Sequence, residues 1–299
     1  MSTRRVIALG ALGYLGLIIL IGVLFGSHGM NTEFQPQNEF KLDPWISLKL
    51  GGVDFSINKA VLYLTLAAVL TVVSMTYIAR RMVERPNRIQ TAVESLYALM
   101  KDNIAGGNMD KRMAAKWFPF IATLFMFIWI SNLLGYLPLP TNSEHTINIF
   151  GAHIPSFTVY AATANISVTL VLSLTVWVLY HIEGIRARGF IGYLKSWVPQ
   201  GVEGVAAVPI FFIEVISQFV RVISLSVRLF ANLLAGHLLI LFMGGALAVL
   251  LGIAAIGFLT LPIAIVFYIF EVVLIATLQA FIFATLAAIY FGGAVAEQH

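Results

Sequence analysis

The chain alternates long apolar runs with short polar segments, and the lengths of the runs predict helices that cross a membrane. The first run, 6–26, follows two arginines, and later runs occupy residues 60–79, 117–137 and 157–180. Each run has about 20 residues or more, which is the length that a helix needs to cross a hydrocarbon core of about 30 Å. Runs this long and continuous predict helices rather than the alternating strands of a membrane barrel.

Two further apolar runs, 209–244 and 253–291, are longer than one crossing requires. At 1.5 Å per residue the first would measure about 54 Å, so it must tilt steeply or break. Gly244 and Gly245 predict a turn between the two runs, and Pro262 predicts a kink in the second. The fold class is therefore predicted as an all-α integral membrane protein. An N-terminal signal anchor or signal peptide and three transmembrane helices precede a C-terminal hairpin of two long tilted helices.

Lysine and arginine are concentrated in two polar segments, and this asymmetry predicts the orientation. Residues 80–116 contain eight basic side chains and residues 181–200 contain three, whereas residues 138–156 contain none. The positive-inside rule places the two basic segments and the C-terminus in the cytoplasm, with residues 27–57 and 138–156 outside. Within the first basic segment, residues 89–100 have amphipathic spacing and are predicted to lie along the membrane surface.

The N-terminal run can be interpreted as a cleaved signal peptide or as a retained signal anchor. The run is long for a signal peptide, and Leu24-Phe25-Gly26 is a poor cleavage site, so an anchor is favoured. The predicted organisation is residues 1–26 as signal anchor or signal peptide, 27–57 as an external loop and 58–299 as the membrane domain.

Composition supports the membrane interpretation and excludes several kinds of chemistry. Hydrophobic residues make up 60% of the chain and charged residues 11%, against about 25% charged residues in soluble domains. The absence of cysteine excludes disulfides, thiolate catalysis and cysteine-ligated metals. We find no phosphate-binding loop, dinucleotide turn, zinc-protease helix or serine elbow. The sequence therefore predicts no cofactor, no metal site and no nucleic-acid partner.

Ionisable side chains interrupt the first long run at Glu214, Arg221, Arg228 and His237. An ionisable group at membrane depth costs about 2.5–3.5 kcal/mol on insertion scales, so each is a candidate functional residue. The spacing of seven residues puts the first three on nearly one face of a helix. Ser217, Ser224 and Asn232 extend the polar character of this run, and Glu271 and Gln279 lie on the second long run.

These side chains allow a functional and a structural interpretation. Arg228 stays charged at physiological pH, so it can attract a carboxylate but cannot relay protons, whereas Glu214, His237 and Glu271 can titrate. In the structural alternative, Arg221 pairs with Glu214 or Arg228 with Glu271 to fix helix packing. Taken alone, Arg221 favours extension to the cytoplasmic interface.

At residues 224–236, SLSVRLFANLLAG, the chain resembles subunit a of the F-type ATP synthases. The other matching stretches follow in the family's order: RPNRIQTAVESLYALM (85–100), SNLLGYLP (131–138), TANISVTLVLSL (163–174) and LQAFIFATLAAIY (278–290). The resemblance covers about residues 60–291. It implies that Arg228 is the coupling arginine, which faces a carboxylate of the c-ring and prevents a proton short-circuit between two half-channels. The remaining residues of the implied proton pathway are Glu214, Ser217, Arg221, Ser224, Asn232, His237, Glu271, Gln279 and Asn165.

Two positions depart from the family pattern. Asn165 stands where many members have an aspartate, which implies a weaker role in proton transfer. Glu271 precedes Gln279 by eight residues, where seven are usual. One extra residue rotates a side chain by about 100°, so either the helix contains a bulge there or the two side chains are positioned differently.

The resemblance implies a stator subunit of the ATP synthase Fo sector that moves an ion, interpreted as a proton, and couples its flow to rotation. ATP chemistry then belongs to other subunits, so the chain is not an enzyme by itself. The implied partners are the c-ring, peripheral-stalk subunit b and membrane lipid, in a bacterial plasma membrane. The alternative function is a secondary ion-coupled transporter, although the internal repeat typical of that class is absent from the sequence.

Overall fold

The structure is a computed structural model that describes residues 3–25, 40–50, 53–82, 87–141, 146–149, 152–155, 157–199, 202 and 204–296. The predicted end of the N-terminal segment at residue 26, much of the external loop before residue 40, and residues 297–299 lie outside this range. The chain divides into two compact units. The first unit contains Met1–Asp43, Pro138–Tyr160 and Leu234–Leu274, and the second contains Pro44–Leu137, Ala161–Leu233 and Ile275–His299.

Helices dominate the described residues. They are α1 (Thr3–Phe25), α2 (Lys59–Arg81), α3 (Arg88–Ala98), α4 (Gly106–Asn108), α5 (Lys111–Gly135), α6 (Ile166–Arg188), α7 (Phe190–Lys195), α8 (Ala207–Leu241), α9 (Leu247–Leu251), α10 (Ala254–Phe270) and α11 (Ala276–Val295). In this part of the chain, five helical segments are long and apolar enough to cross a membrane: 59–80, 111–135, 166–188, 204–249 and 255–295. The all-α membrane fold is thus confirmed, and the anchor role of α1 stays a prediction.

Short antiparallel strand pairs occupy the predicted external segments. They are β1 (Lys49–Leu50) with β2 (Val53–Asp54), β3 (Leu139–Pro140) with β6 (Phe157–Thr158), and β4 (Thr146–Ile149) with β5 (Ala152–Pro155). Because β6 and a 3₁₀ turn at Ala162–Ala164 precede α6, the predicted helix start at residue 157 is wrong. The helix begins where Asn165 supplies the cap, its Oδ1 accepting a hydrogen bond from the backbone N–H of Ser167 at 2.9 Å.

The predicted surface helix is present as α3. Asn87 caps its start, accepting a hydrogen bond at Oδ1 from the backbone N–H of Gln90 at 2.8 Å. All residues of α3 are exposed or half-buried. A π-helical segment, Leu99–Ala105, continues the helix toward α4. The prediction of a helix at residues 89–100 is confirmed, and its place on the membrane surface stays a prediction.

The two long C-terminal runs are joined by more than a two-residue turn. Helix α8 is unbroken over 35 residues and ends at Leu241. A π-turn at Phe242–Ala246 follows, with Gly245 at φ 158°, and α9 ends at Leu251, directly before Gly252 in the left-handed conformation (φ 64°). The prediction of a turn at Gly244-Gly245 was right in place but too short, because α9 extends the connection. Pro262 lies inside α10 without ending it.

A second π-turn, Glu271–Ile275, connects α10 to α11. A π-turn accommodates one additional residue in an otherwise α-helical segment. The sequence left a bulge and a changed side-chain position as alternatives for the spacing of eight residues between Glu271 and Gln279. The structure confirms the bulge.

In the second unit, α11 packs closely against α5 and α6, and several of its buried positions are alanines that permit this close approach. These positions are Ala276, Ala280, Ala284, Ala287 and Ala288. Aromatic contacts close one end of the α5–α11 contact, where the rings of Trp117 and Phe291 lie 4.2 Å apart. Lys116, predicted as a loop residue, instead lies in α5 and forms an ion pair with the buried Glu183 of α6.

A buried hydrogen-bond network ties α5 to the start of α11. The Thr163 hydroxyl donates to Oδ1 of Asn132 at 2.7 Å, and Nδ2 of Asn132 donates to the carbonyl of Ala276 at 3.1 Å. Nε1 of Trp129 donates to the Thr277 hydroxyl at 3.0 Å. The network fixes the backbone directly after the π-turn, and it gives two of the family-like stretches, 131–138 and 163–174, a structural role.

We expect Asn132→Leu to lower the free energy of unfolding by about 1–3 kcal/mol, because it leaves the buried Thr163 hydroxyl without its partner. Adding Thr163→Val should recover part of this loss, since both partners are then apolar. The measurement is the thermal unfolding midpoint of the purified protein in detergent. Thr175→Val is the matched control, because the Thr175 hydroxyl bonds only within its own helix, to the carbonyl of Val171 at 2.8 Å. A double variant no more stable than Asn132→Leu would contradict the network.

Candidate functional site

Helix α8 has one exposed face and one buried face along most of its length. The buried positions recur at helical spacing and are Gln218, Val222, Leu225, Leu229 and Leu233. The exposed face is apolar at Phe212, Ile213, Ile216, Phe219, Val220, Ile223 and Val227. Its other exposed members are small or polar: Ser224, Arg228, Ala231, Asn232 and Ala235. Arg228 is thus the one charged side chain on this exposed face of α8.

The guanidinium of Arg228 has no carboxylate partner among the described residues of its unit. Ala231 and Ala235 follow it on the same face, and side chains this small permit close approach of another helix. Because the guanidinium stays charged at physiological pH, its surroundings cannot relieve the charge by deprotonating it. The alternative in which Arg228 pairs with Glu271 joins residues of different units and stays a prediction.

Arg221, one heptad earlier on α8, has both a counter-charge and an aromatic neighbour. Its Nη2 lies 3.0 Å from Oε1 of Glu214, and its guanidinium carbon lies 5.5 Å from the centre of the Tyr290 ring. The ion pair proposed from the sequence is confirmed, and the extension of Arg221 to the cytoplasmic interface stays a prediction. Arg221 is half-buried and lies over Tyr290 of α11, whereas Arg228 lies on the exposed face.

Two residues that the sequence did not predict complete this cluster. Nε2 of Gln218 donates to Oε1 of Glu214 at 2.7 Å, and Oε1 of Gln218 accepts a hydrogen bond from the hydroxyl of Tyr180 at 2.6 Å. Gln218 could have been found from the sequence, since it lies four residues after Glu214 on the same helix face. Tyr180 could not, because it comes from α6 and only the packing of α6 on α8 brings it there.

A cavity of about 320 Å³ opens beside this cluster, between α6, α7, α8 and the end of α11. Its lining includes Tyr180, Arg188, Tyr193, Ser196, Trp197, Glu214, Gln218, Arg221 and Tyr290. Burial raises the pKa of the Tyr193 hydroxyl above its ordinary value, so this phenol stays neutral at physiological pH. The cavity is polar and wide enough for several water molecules. Ser217 is half-buried beside this cluster on α8, whereas Ser224 lies on the exposed face.

The first unit contains the other titratable pair, His237 and Glu271, both buried. The carboxyl of Glu271 lies directly against Gly236, because a Cβ added at position 236 would be 2.5 Å from its Cδ and 2.7 Å from its Oε1. Glycine at position 236 therefore permits this close approach. Because Gly236 has no side chain, the Glu271 carboxyl fits against the backbone of the residue that directly precedes His237.

The last two predicted residues, Gln279 and Asn165, belong to the second unit. Gln279 is buried in α11, one turn after the π-turn. Asn165 is half-buried and its side chain caps α6, which explains an asparagine at this position without a role in proton transfer. The role of either residue in a proton pathway stays a prediction.

Comparison with known proteins identifies close similarity over most of the chain. Residues 61–292 match the family model described as ATP synthase A chain. ATP synthase subunit a of Rubrobacter xylanophilus is 37% identical over 247 residues, which are 82% of this chain and 86% of the relative. ATP synthase subunit a of Rhizobium rhizogenes is 35% identical over 87% of this chain and 96% of the relative. The subunit a of a Chelativorans species is 36% identical over 88% and 98%.

We expect Gly236→Ala to displace the Glu271 carboxyl and to lower the free energy of unfolding by about 1–3 kcal/mol, the usual effect of overpacking. Thermal unfolding in detergent measures the loss, and a Glu271→Ala background should remove it by vacating the space. Gly244→Ala is the control, since a Cβ there meets nothing within 4 Å. Equal losses in both backgrounds would disprove the contact.

Proposed function

The chain belongs to the ATP synthase A chain (subunit a) family, and from this membership and the exposed Arg228 we propose that it conducts protons past a ring of c subunits. Five apolar helices and the bacterial relatives make it a multi-pass membrane subunit of the ATP synthase Fo sector. Within the complex, we propose that it is the stator: ATP chemistry takes place on other subunits, and this chain supplies the path for protons.

The observation that carries the proposal is the position of Arg228 on the exposed face of α8. A charged side chain at membrane depth costs about 2.5–3.5 kcal/mol on insertion scales, and no acid in its own unit offsets this among the described residues. The small neighbours Ala231 and Ala235 allow a second helix to approach. A carboxylate on the ring is the counter-charge that fits a guanidinium in these surroundings.

Protons are taken up from outside through a half-channel that contains His237 and Glu271, with Asn165 and Gln279 further along the path. They neutralise a ring carboxylate, which can then leave the field of Arg228 and face lipid. After nearly a full rotation, the carboxyl group reaches the second half-channel, formed by Glu214, Ser217 and Arg221 beside the cavity. There the positive potential of Arg228 favours release of the proton toward the cytoplasm.

Ser224 and Asn232 flank Arg228 by one turn on either side and supply hydrogen-bonding groups along the same face. Each elementary charge that crosses the membrane delivers about 2.3 kcal/mol per 100 mV. Because the arginine blocks direct passage between the half-channels, protons can cross only when the ring rotates. Residues 80–116 and the C-terminus lie in the cytoplasm in this proposal. Residues 27–57 lie outside, residues 1–26 form the signal anchor or signal peptide, and peripheral-stalk subunit b is the second protein partner.

We expect Arg228→Ala to abolish both ATP-driven proton pumping and proton-driven ATP synthesis in inverted membrane vesicles, because the barrier between the half-channels is lost. Arg186→Ala is the matched control: it removes an exposed arginine from the last turn of α6 and should leave both activities unchanged. Immunoblotting verifies that the variant subunit is assembled. Coupled synthesis that survives in an assembled Arg228→Ala complex would refute the proposal.

A further inference from the structure

We propose that Gln218 and Tyr180 are positioning residues that hold one oxygen of Glu214, so that its other oxygen alone exchanges protons with the cavity. The inference rests on the proposed function, since it concerns how the second half-channel releases protons. Neither residue belongs to the pathway deduced from the sequence.

The two oxygens of Glu214 have different surroundings. Oε1 accepts hydrogen bonds from Nε2 of Gln218 at 2.7 Å and from Nη2 of Arg221 at 3.0 Å. The structure describes no hydrogen bond to Oε2 from the residues it covers. The Glu214 side chain is 28% exposed and lines the cavity. Oε2 is therefore the oxygen that water in the cavity can reach.

The orientation of the Gln218 amide follows from the hydrogen-bonding capacities of its neighbours. An ionised carboxylate only accepts hydrogen bonds, so Gln218 must present its NH₂ group to Glu214. Its carbonyl oxygen then faces Tyr180, whose hydroxyl must donate. Tyr180 and Gln218 are 2% and 4% exposed, so the hydrogen bond between them is buried. The phenol of α6 thus determines which end of the amide the carboxylate meets.

This arrangement restrains the carboxyl group from two sides. On one side, Gln218 binds Oε1 and is itself bonded to Tyr180 of α6. On the other side, Arg221 binds Oε1 and lies over the ring of Tyr290 on α11. Rotation of the carboxyl would break two charge-assisted hydrogen bonds at once. A carboxamide does not pick up a proton at physiological pH, so the chain from Glu214 to Tyr180 ends the path instead of extending it. Protons therefore pass only between Oε2 and water in the cavity.

The test is passive proton conduction through the Fo sector in vesicles after removal of the catalytic F1 sector, normalised to assembled complex. We expect Gln218→Leu to slow conduction about tenfold, the factor that corresponds to one lost hydrogen bond to a charged group. Tyr180→Phe keeps the ring and should slow it less, because the amide remains. Gln90→Leu is the matched control: Gln90 makes the same contact to Glu94 at 2.7 Å, four residues away, on an exposed helix face.

A double-variant cycle separates positioning from a merely structural role. If Gln218 and Tyr180 act through the carboxyl group, neither substitution slows conduction further in a Glu214→Gln background. Equal fold-losses in the two backgrounds would overturn the inference, and so would a Glu214→Gln variant that conducts normally. The proposed function fails separately, if Arg228→Ala leaves coupling intact in the same membranes.

Discussion

A permanent positive charge on an apolar helix face needs a counter-charge, and the two arginines of α8, seven residues apart, differ in whether their own unit supplies one. Arg221 has Glu214 at 3.0 Å and the Tyr290 ring beneath it, so its charge is compensated inside the protein. Arg228 has neither among the described residues of its unit. The contrast makes Arg221 part of the cavity wall and leaves the charge of Arg228 uncompensated within the described part of its unit, which is the basis of the proposed contact with a ring carboxylate.

Small side chains make the burial of polar groups possible elsewhere in the protein. Alanines on α11 bring α5 close enough for Asn132 to reach the Ala276 carbonyl, and Gly236 leaves space for the Glu271 carboxyl. In each case a polar side chain, the Asn132 amide or the Glu271 carboxyl, occupies space that a larger residue would fill. Close packing and polar chemistry therefore depend on the same positions, which explains why the helices combine alanine and glycine with isolated charged residues.

The sequence predicted the features that depend on hydrophobic length and helical periodicity. Helices α2 and α8 begin and end within about three residues of their predicted bounds, and the bulge was one of the two alternatives that the spacing of Glu271 and Gln279 allowed. It did not predict the late start of α6, because residues 157–164 are mostly apolar, like those of a membrane helix. Contacts between helices, such as Tyr180 with Gln218, depend on packing, which no pattern along one helix contains.

Because of the π-turn at Glu271–Ile275, the number of residues between two side chains does not by itself give their angular separation around the helix. An α-helix converts every inserted residue into a rotation of about 100°, whereas a π-turn absorbs one insertion locally. Two homologous chains can then differ by one residue between the same pair of side chains and still follow the same helical path beyond it. Alignment by sequence number alone would shift such helices out of register, and the gap belongs inside the π-turn.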